Sequence, residues 1–178
     1  YFKKRFIYDS YSCRENKGVH RALDRFKYFA GKASKNNSRT CYVLKCDIKK
    51  FFATINHEVL LNILERYIED HDIVWLIKRV VSSFYTSRSG VGLPLGNLTS
   101  QLLVNIYMHE FDMFIKQELR VEYYIRYADD FIILSDNEEY LKDLLLKISK
   151  FLGERMKLTL HEHKVYIKTY ASGVDFLG

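Results

Sequence analysis

Three aspartates adjoin short apolar runs of strand-forming residues, and this placement constrains the fold more than any other feature of the chain. Asp47 ends one such run, and Asp129 and Asp130 lie between two others, at 123–127 and 131–135. The second arrangement predicts a β-hairpin with an acidic tip. A charge beside a buried strand is costly unless it has a partner. If the first strand lies beside the hairpin, three carboxylates converge at one edge of a sheet.

Converging carboxylates indicate a site for divalent cations, because the cluster repels itself at neutral pH. Hard oxygen ligands suit Mg²⁺, which keeps its remaining coordination sites for water and substrate phosphates. Two such ions can activate a 3′-hydroxyl and stabilise a leaving pyrophosphate. A Tyr-x-Asp-Asp string such as Tyr127-Ala-Asp-Asp130 is nevertheless expected by chance in about 5% of chains this long. Alone, it fits a polar hairpin turn equally well.

Charge is distributed unevenly along the chain. Residues 1–50 contain 14 Lys and Arg against 4 Asp and Glu, a net charge of +10. Residues 51–178 contain 14 Lys and Arg against 18 Asp and Glu, a net charge of −4. This asymmetry indicates either a polyanion partner held by the basic part or a solvated basic face, and charge alone does not choose between them.

Composition excludes several classes of protein. An aromatic content of 15% argues against disorder. The longest apolar stretches fall far short of the ~20 residues of a membrane span, and no basic-then-apolar leader opens the chain. Cys13, Cys41 and Cys46 lack C-x-x-C spacing, which predicts reduced thiols in a cytoplasmic protein with neither a disulfide frame nor a zinc site.

Apolar periodicity predicts an α+β fold in which helices cover one face of an antiparallel sheet. The chain contains one Pro and eight Gly, so no linker or repeat divides it. Asn97 is expected to cap one of the helices. The predicted helices span 19–30, 57–68, 73–84, 97 to about 119, and a segment that carries Leu141 to Leu152; strands at 158–161 and 165–170 follow.

Six sequence segments together carry a resemblance to a known family. They are Tyr11-Ser-Cys-Arg14-Glu-Asn-Lys-Gly18, Leu44-Lys-Cys-Asp47-Ile-Lys-Lys-Phe-Phe52, Gly92-Leu-Pro-Leu-Gly96-Asn-Leu-Thr-Ser100-Gln101, Tyr127-Ala-Asp129-Asp130, Leu158-Thr-Leu-His-Glu-His-Lys164 and Gly173-Val-Asp-Phe-Leu-Gly178. Together they resemble the fingers and palm motifs of reverse transcriptases, and they cover almost the whole chain. The resemblance implies a polymerase palm, a ferredoxin-like antiparallel sheet, with part of the fingers. It divides the chain into fingers portions at 1–40 and 73–92 and palm portions at 41–72 and 93–178, without a thumb.

The resemblance also implies roles for individual residues. Asp47 and Asp129 would be ligands of two Mg²⁺ ions, the Ile48 backbone carbonyl would add a ligand, and Asp130 would be an auxiliary carboxylate. The nucleotide-binding residues would be Arg14, Phe52, Leu95, Gly96, Gln101 and Lys164, and the primer grip would be Phe176, Leu177 and Gly178.

Several of these roles have structural alternatives. Phe52 would place its ring under the incoming sugar and select dNTPs, but most Phe side chains are simply core. Arg14 and Lys164 would contact the triphosphate or the departing pyrophosphate, or be surface cations among 28. Gln101 either helps to hold nucleotide or template or makes contacts only within its helix.

One departure from the family pattern indicates which subfamily the chain resembles. Many reverse transcriptases carry Gln before the Gly, whereas this chain has Leu95-Gly96-x-x-x-Ser100-Gln101. The variant is similar to the reverse transcriptases of diversity-generating retroelements, which are bacterial or phage-encoded and copy a template RNA with frequent errors at adenines. They work with a small basic accessory protein. Leu95 in place of an amide would remove a hydrogen bond near the nascent base pair.

The expected function is therefore an RNA-directed DNA polymerase that extends a DNA or RNA primer on an RNA template with dNTPs. A group II intron-like or other bacterial reverse transcriptase is an alternative, and so is a thumb-less module that only binds nucleic acid. A palm-fold nucleotide cyclase would also use strand and hairpin carboxylates. The Leu93-Pro-Leu-Gly96 segment and the aromatic residue at position 52 argue against the cyclase.

Overall fold

A computed structural model describes residues 2–84 and 89–177. The α-helices in these ranges are α1 (Val19–Ala33), α2 (Phe51–Thr54), α3 (His57–Glu65), α4 (His71–Ser82), α5 (Leu98–Met113) and α6 (Glu138–Met156). The β-strands are β1 (Tyr42–Asp47), β2 (Tyr123–Tyr127), β3 (Asp130–Ser135) and β4 (Tyr166–Thr169). The structure also contains two short 3-10 helices, Phe2–Lys4 and Tyr170–Ser172, and a π-helical segment, Phe114–Glu118. None of the helices described is both long and apolar enough to cross a membrane.

The strands form one antiparallel sheet in the order β2–β3–β1–β4. The hairpin β2–β3 therefore lies directly beside β1, which is the condition under which the three carboxylates converge. In this register Asp47, the last residue of β1, is opposite Asp130, the first residue of β3. Asp130 is also opposite Tyr127 across the hairpin, so the turn between them consists of Ala128 and Asp129.

Both faces of the sheet are covered. On one face, Leu44, Phe131 and Ile133 pack with apolar residues of α3, α5 and α6 in the larger core. On the other, Val43 and Ile132 pack against α1, within a second cluster that contains Phe26, Phe29 and Phe176. The α+β antiparallel fold is confirmed, but helices are not confined to one face. Four consecutive residues are buried in each of the central strands β1 and β3, so these strands need cover on both sides.

Two local predictions were wrong. Asn97 occupies the N-cap position of α5, but its side chain makes no capping hydrogen bond. Burial of most of the helix stabilises α5 instead, and the chain continues beyond Met113 as a π-helix. The segment 158–161 is not a regular strand, because β4 occupies the edge of β1 along Tyr42–Lys45. Leu160 is left with a single bridge to Ile48.

Candidate active site

Three aspartates meet at the ends of the two central strands rather than at an outer edge of the sheet. Because Asp47 pairs with Asp130, the end of β1 and the start of β3 lie side by side in the sheet. Asp129 follows Ala128, whose φ of +55° is the left-handed conformation that a non-glycine residue rarely adopts. The Asp129 carbonyl accepts a hydrogen bond from the Ile48 amide at 3.2 Å, which ties the turn to the chain beyond β1. The hairpin tip is thus held against the end of the strand that carries Asp47.

Burial and the charges of neighbouring carboxylates raise the pKa of Asp129 and of Asp130. Burial raises the pKa of Asp129, and the charge of Asp47 raises it further. Burial likewise raises the pKa of Asp130 to about 6; Lys45 opposes the shift, whereas Asp47 and Asp129 add to it. Oδ1 of Asp130 is buried without a hydrogen-bond partner. The site carries more negative charge than its own groups neutralise, which favours a cation.

Two lysines partly supply that positive charge. Lys164 Nζ lies 3.0 Å from Asp47 Oδ2 and is half exposed. Lys45 Nζ lies 3.3 Å from Asp130 Oδ2 and is almost buried within the sheet. Sequence reasoning overlooked Lys45, although a lone charged residue inside an apolar strand was a usable signal. Both lysines border an open cavity of about 560 Å³ beside the carboxylates, which Tyr166, Lys168 and Leu177 also line.

The donor set fits Mg²⁺ that arrives with a phosphate substrate. Within the described parts of the chain, no group of three or more His, Cys, Asp or Glu side chains is arranged as a metal cage. Mg²⁺ is commonly held by one or two carboxylates together with substrate phosphates and water, so a full cage of protein ligands is not required. The orphaned Oδ1 of Asp130 and the interacting Asp47 and Asp129 are the hard donors that such an ion would meet.

The shifted pKa of Asp130 predicts a pH-dependent stability without metal. Its native pKa of about 6 lies above the ordinary value of 3.8. The ionised group therefore destabilises the fold above pH 6, and this cost is relieved as the pH falls from 6 towards 3.8. We expect the free-energy advantage of Asp130→Asn over the wild-type protein to shrink by about 2 kcal/mol between pH 7.5 and 4.5. Urea unfolding in EDTA measures it, and a pH-independent difference would contradict the assignment.

Phe52 is joined to the segment that resembles the nucleotide-contacting motif. Its backbone carbonyl accepts a hydrogen bond from Leu93 N at 2.8 Å, and Ile55 O accepts one from Gly92 N at 2.8 Å. The buried His57 ring is 2.6 Å from Gly92 O. Phe52 is half-buried, whereas its neighbour Phe51 is core. These hydrogen bonds hold the backbone at Phe52 beside the Leu93 segment.

The middle of this segment, residues 95–99, is exposed to solvent, whereas Leu93 and Ser100 on either side of it are buried. Leu95 is 78% exposed. Gly96 has a φ of +84° and open space where a Cβ would lie, so the turn there needs glycine for its backbone and not for close packing. Gln101 is half-buried in the first turns of α5, and its carbonyl accepts a hydrogen bond from Asn105 Nδ2 at 3.1 Å.

The remaining candidates lie in different surroundings. Arg14 donates to the carbonyls of Ile7 at 2.6 Å and Ser10 at 2.9 Å, so in this structure its guanidinium braces its own segment. Phe176 is buried against Phe26 on the α1 side of the sheet, with ring centroids 5.7 Å apart. Leu177 lines the cavity beside the carboxylates. Gly178, the third residue of the expected primer grip, lies outside the described residues.

Comparison with known proteins decides the family. A family model described as "Reverse transcriptase (RNA-dependent DNA polymerase)" matches residues 1–178. The chain belongs to the reverse transcriptase family. This confirms the resemblance inferred from the six motifs at the level of the family.

Individual reverse transcriptases are similar to this chain. The group II intron-encoded protein LtrA of Lactococcus lactis is 23% identical over a gapped alignment of 236 positions. The alignment covers 95% of this chain and 38% of LtrA. The retron Ec73 reverse transcriptase of Escherichia coli is 30% identical over 145 residues, 72% of this chain and 44% of the relative. In fold, apo telomerase from Candida tropicalis, truncated from its C-terminal domain, matches with a TM-score of 0.70 at 15% identity, over 96% of this chain and 37% of that one. This reverse transcriptase domain spans less than half of each of these three proteins.

Proposed function

We propose that the protein is an RNA-directed DNA polymerase that extends a DNA or RNA primer on an RNA template with dNTPs. The observation that carries the proposal is the placement of Asp47 opposite Asp130 with Asp129 in the adjoining turn. The segments that carry these residues resemble the first catalytic motif and the Tyr-x-Asp-Asp motif of reverse transcriptases, and the match of the whole chain to that family supports the assignment. The six motifs in family order support the same reaction.

Asp47, Asp129 and the Ile48 carbonyl would hold two Mg²⁺ ions, with Asp130 as an auxiliary carboxylate. When bound, Mg²⁺ supplies charge that lowers the pKa of the primer 3′-hydroxyl and stabilises the leaving pyrophosphate. The protein positions these oxygens through the strand register and through the hydrogen bond from Ile48 N to Asp129 O. Lys45 offsets the repulsion that Asp130 adds, because its ammonium lies 3.3 Å away.

Lys164 and Phe52 act on the nucleotide in this proposal. Lys164 reaches Asp47 from a half-exposed position, and this hydrogen bond raises its pKa, so the ammonium stays charged. When phosphates bind, it can turn from Asp47 to the departing pyrophosphate as a charge partner or acid. Phe52 places its ring where a ribose 2′-hydroxyl would clash. We assign primer contacts to Phe176, Leu177 and Gly178, and triphosphate contacts to Arg14 after a change of its present partners.

We assign 1–40 and 73–92 to the fingers and 41–72 and 93–178 to the palm. The first portion carries most of the net charge of +10 in residues 1–50, and Arg21, Lys27 and Lys32 of α1 are exposed. Affinity for a primer–template is therefore expected to fall about 10²-fold or more between 50 and 200 mM salt, with or without Mg²⁺. Fluorescence anisotropy measures this, and binding that is insensitive to salt would contradict a role for the basic portion.

Within the family we propose an error-prone enzyme of a diversity-generating retroelement that works with a small basic accessory protein. Leu95 carries this proposal, because its apolar side chain is 78% exposed beside Gly96, at the position where many other reverse transcriptases carry Gln. Leu95→Gln is expected to lower misincorporation opposite template adenine by about 10-fold, since it restores a discriminating hydrogen bond. Sequencing of the products measures it, with Leu146→Gln, at a similarly exposed apolar position on α6, as the matched control. An unchanged error rate in Leu95→Gln would argue against this subfamily.

One assay separates the candidate functions. The protein is given an RNA template with an annealed primer, dNTPs and Mg²⁺, and the products are resolved at nucleotide resolution. Extension supports the polymerase. Binding of primer–template without extension supports a module that only holds nucleic acid, and release of a cyclic nucleotide from a free triphosphate supports a cyclase. Either of the last two results would overturn the proposed function.

A further inference from the structure

A fully buried ion pair lies on the interior side of the turn that carries Asp129. Arg126 of β2 and Asp112 of α5 have no exposed side-chain surface, and Arg126 Nη2 is 2.7 Å from Asp112 Oδ2. Arg126 Nε donates to Asp112 Oδ1 at 2.8 Å, so the contact is bidentate. Tyr124 donates its hydroxyl to the same Oδ1 at 2.8 Å. The pair joins the hairpin to the helix that begins at the nucleotide-contacting segment.

The same guanidinium also reaches the turn and the N-terminal segment. Nη1 of Arg126 donates to the carbonyl of Ala128 at 3.0 Å, and Nη2 donates to Ser10 Oγ at 3.1 Å. Ala128 is the residue in the left-handed conformation immediately before Asp129. A strained backbone position persists only when its surroundings hold it there, and Arg126 provides such a restraint from the protein interior.

Backbone hydrogen bonds attach the N-terminal segment at the same point. Arg126 N donates to Asp9 O at 2.9 Å, and Tyr11 N donates to Arg126 O at 2.9 Å. From α5, Asn105 Nδ2 donates to Ser12 O at 3.2 Å. The segment that leads to Arg14 therefore runs beside β2 at the level of the turn. Arg126 makes hydrogen bonds both to this segment and to the turn.

We propose that Arg126, oriented by Asp112, is a positioning residue that sets the Asp129 turn and the N-terminal segment in register with the active site. The inference rests on the proposed function. Stability alone does not explain the pair, because a buried ion pair of this kind can often be replaced by apolar residues at no cost in stability. What apolar residues cannot supply is a set of donors aimed at the Ala128 carbonyl and Ser10.

The decisive variant is Arg126→Met combined with Asp112→Leu, which removes both charges together and leaves no unpaired one in the core. Single-nucleotide addition is followed by rapid quench, where the amplitude counts folded, competent enzyme and the rate constant reports the geometry of the site. We expect the amplitude to be retained and the rate constant to fall by about 10- to 100-fold, since small misplacements of catalytic groups have effects of that size.

The matched control is Lys147→Met combined with Asp143→Leu. Lys147 and Asp143 form an ion pair of the same length, 2.7 Å, but it is exposed on α6, outside the basic portion and the site. This control is expected to keep the wild-type rate constant. If the buried double variant does not fold, Arg126→Lys replaces it. Lysine keeps the charge, but its single ammonium cannot serve the carboxylate, Ala128 and Ser10 together.

A second readout does not depend on polymerisation. Binding of Mn²⁺ to the protein, measured by electron paramagnetic resonance, is expected to weaken about 10-fold in the buried variant and to stay unchanged in the control. If the wild-type protein adds no nucleotide, the proposed function fails, and Mn²⁺ affinity still decides the positioning role. A folded variant with the wild-type rate constant and Mn²⁺ affinity would overturn the inference and leave Arg126 with a purely structural role.

Discussion

Replacement of Asp129 by Asn is expected to lower the rate of nucleotide addition by about 10³-fold or more and to leave primer–template binding unchanged. The amide keeps the size and turn propensity of the aspartate but removes the anionic oxygen that would hold Mg²⁺. The turn itself should persist, because the hydrogen bond from Ile48 N is accepted by the backbone carbonyl of residue 129. Single-turnover extension on an RNA template measures the rate, and fluorescence anisotropy measures binding.

Asp143→Asn is the matched control, because Asp143 lies on the exposed face of α6 in a surface pair with Lys147. It should extend the primer at the wild-type rate. Wild-type extension by Asp129→Asn would remove Asp129 from the catalytic site. Loss of both extension and binding in that variant would indicate a general defect in folding, which the far-ultraviolet circular dichroism spectrum would reveal.

Replacement of Phe52 by Ala is expected to reduce discrimination against rNTPs by about 10²-fold, with a much smaller change in the rate for dNTPs. The hydrogen bond between Phe52 O and Leu93 N involves only the backbone, so the alanine variant keeps the nucleotide segment in place. Only the ring that would exclude the 2′-hydroxyl is lost. The ratio of kcat/KM for a dNTP and the matching rNTP measures the effect.

The neighbouring Phe51 is the natural control, because its ring packs edge-to-face on Phe52 at 5.6 Å but is 3% exposed and belongs to the core. Phe51→Leu is expected to cost about 1–2 kcal/mol in free energy of unfolding and to keep the selectivity for dNTPs. If Phe52→Ala still rejected rNTPs, Phe52 would be a core residue and another group would select the sugar.

The sequence predicted the elements that local patterning specifies. Strand β1, the hairpin and helices α1, α3, α4 and α6 all lie where apolar periodicity places them, within a few residues at their ends. From the sequence, the approach of Asp47 to the hairpin was only a condition, because an apolar pattern does not say which strands are neighbours. The resemblance of the segments around Asp47, Asp129 and Asp130 to family motifs is what assigned the three carboxylates to one site.

Features that depend on tertiary contacts could not be predicted in the same way. Helix α1 has an amphipathic pattern, but the pattern does not say which face of the sheet the helix covers. The guanidinium of Arg14 binds two carbonyls of its own segment, a choice made by the backbone path and not by residue type. Asp112 and Arg126 are 14 residues apart, and no local rule pairs a helix residue with a strand residue across a core.

The central claim is that Asp47 and Asp129 jointly hold the cations that act on an incoming nucleotide. Anomalous scattering from a crystal of the protein with primer–template, Mn²⁺ and a non-hydrolysable dNTP tests it most directly. We predict two anomalous peaks between the Asp47 and Asp129 carboxylates, with the nucleotide phosphates on them and the sugar above Phe52. Bound nucleotide without a peak at these carboxylates, or with its metal held elsewhere, would contradict the account.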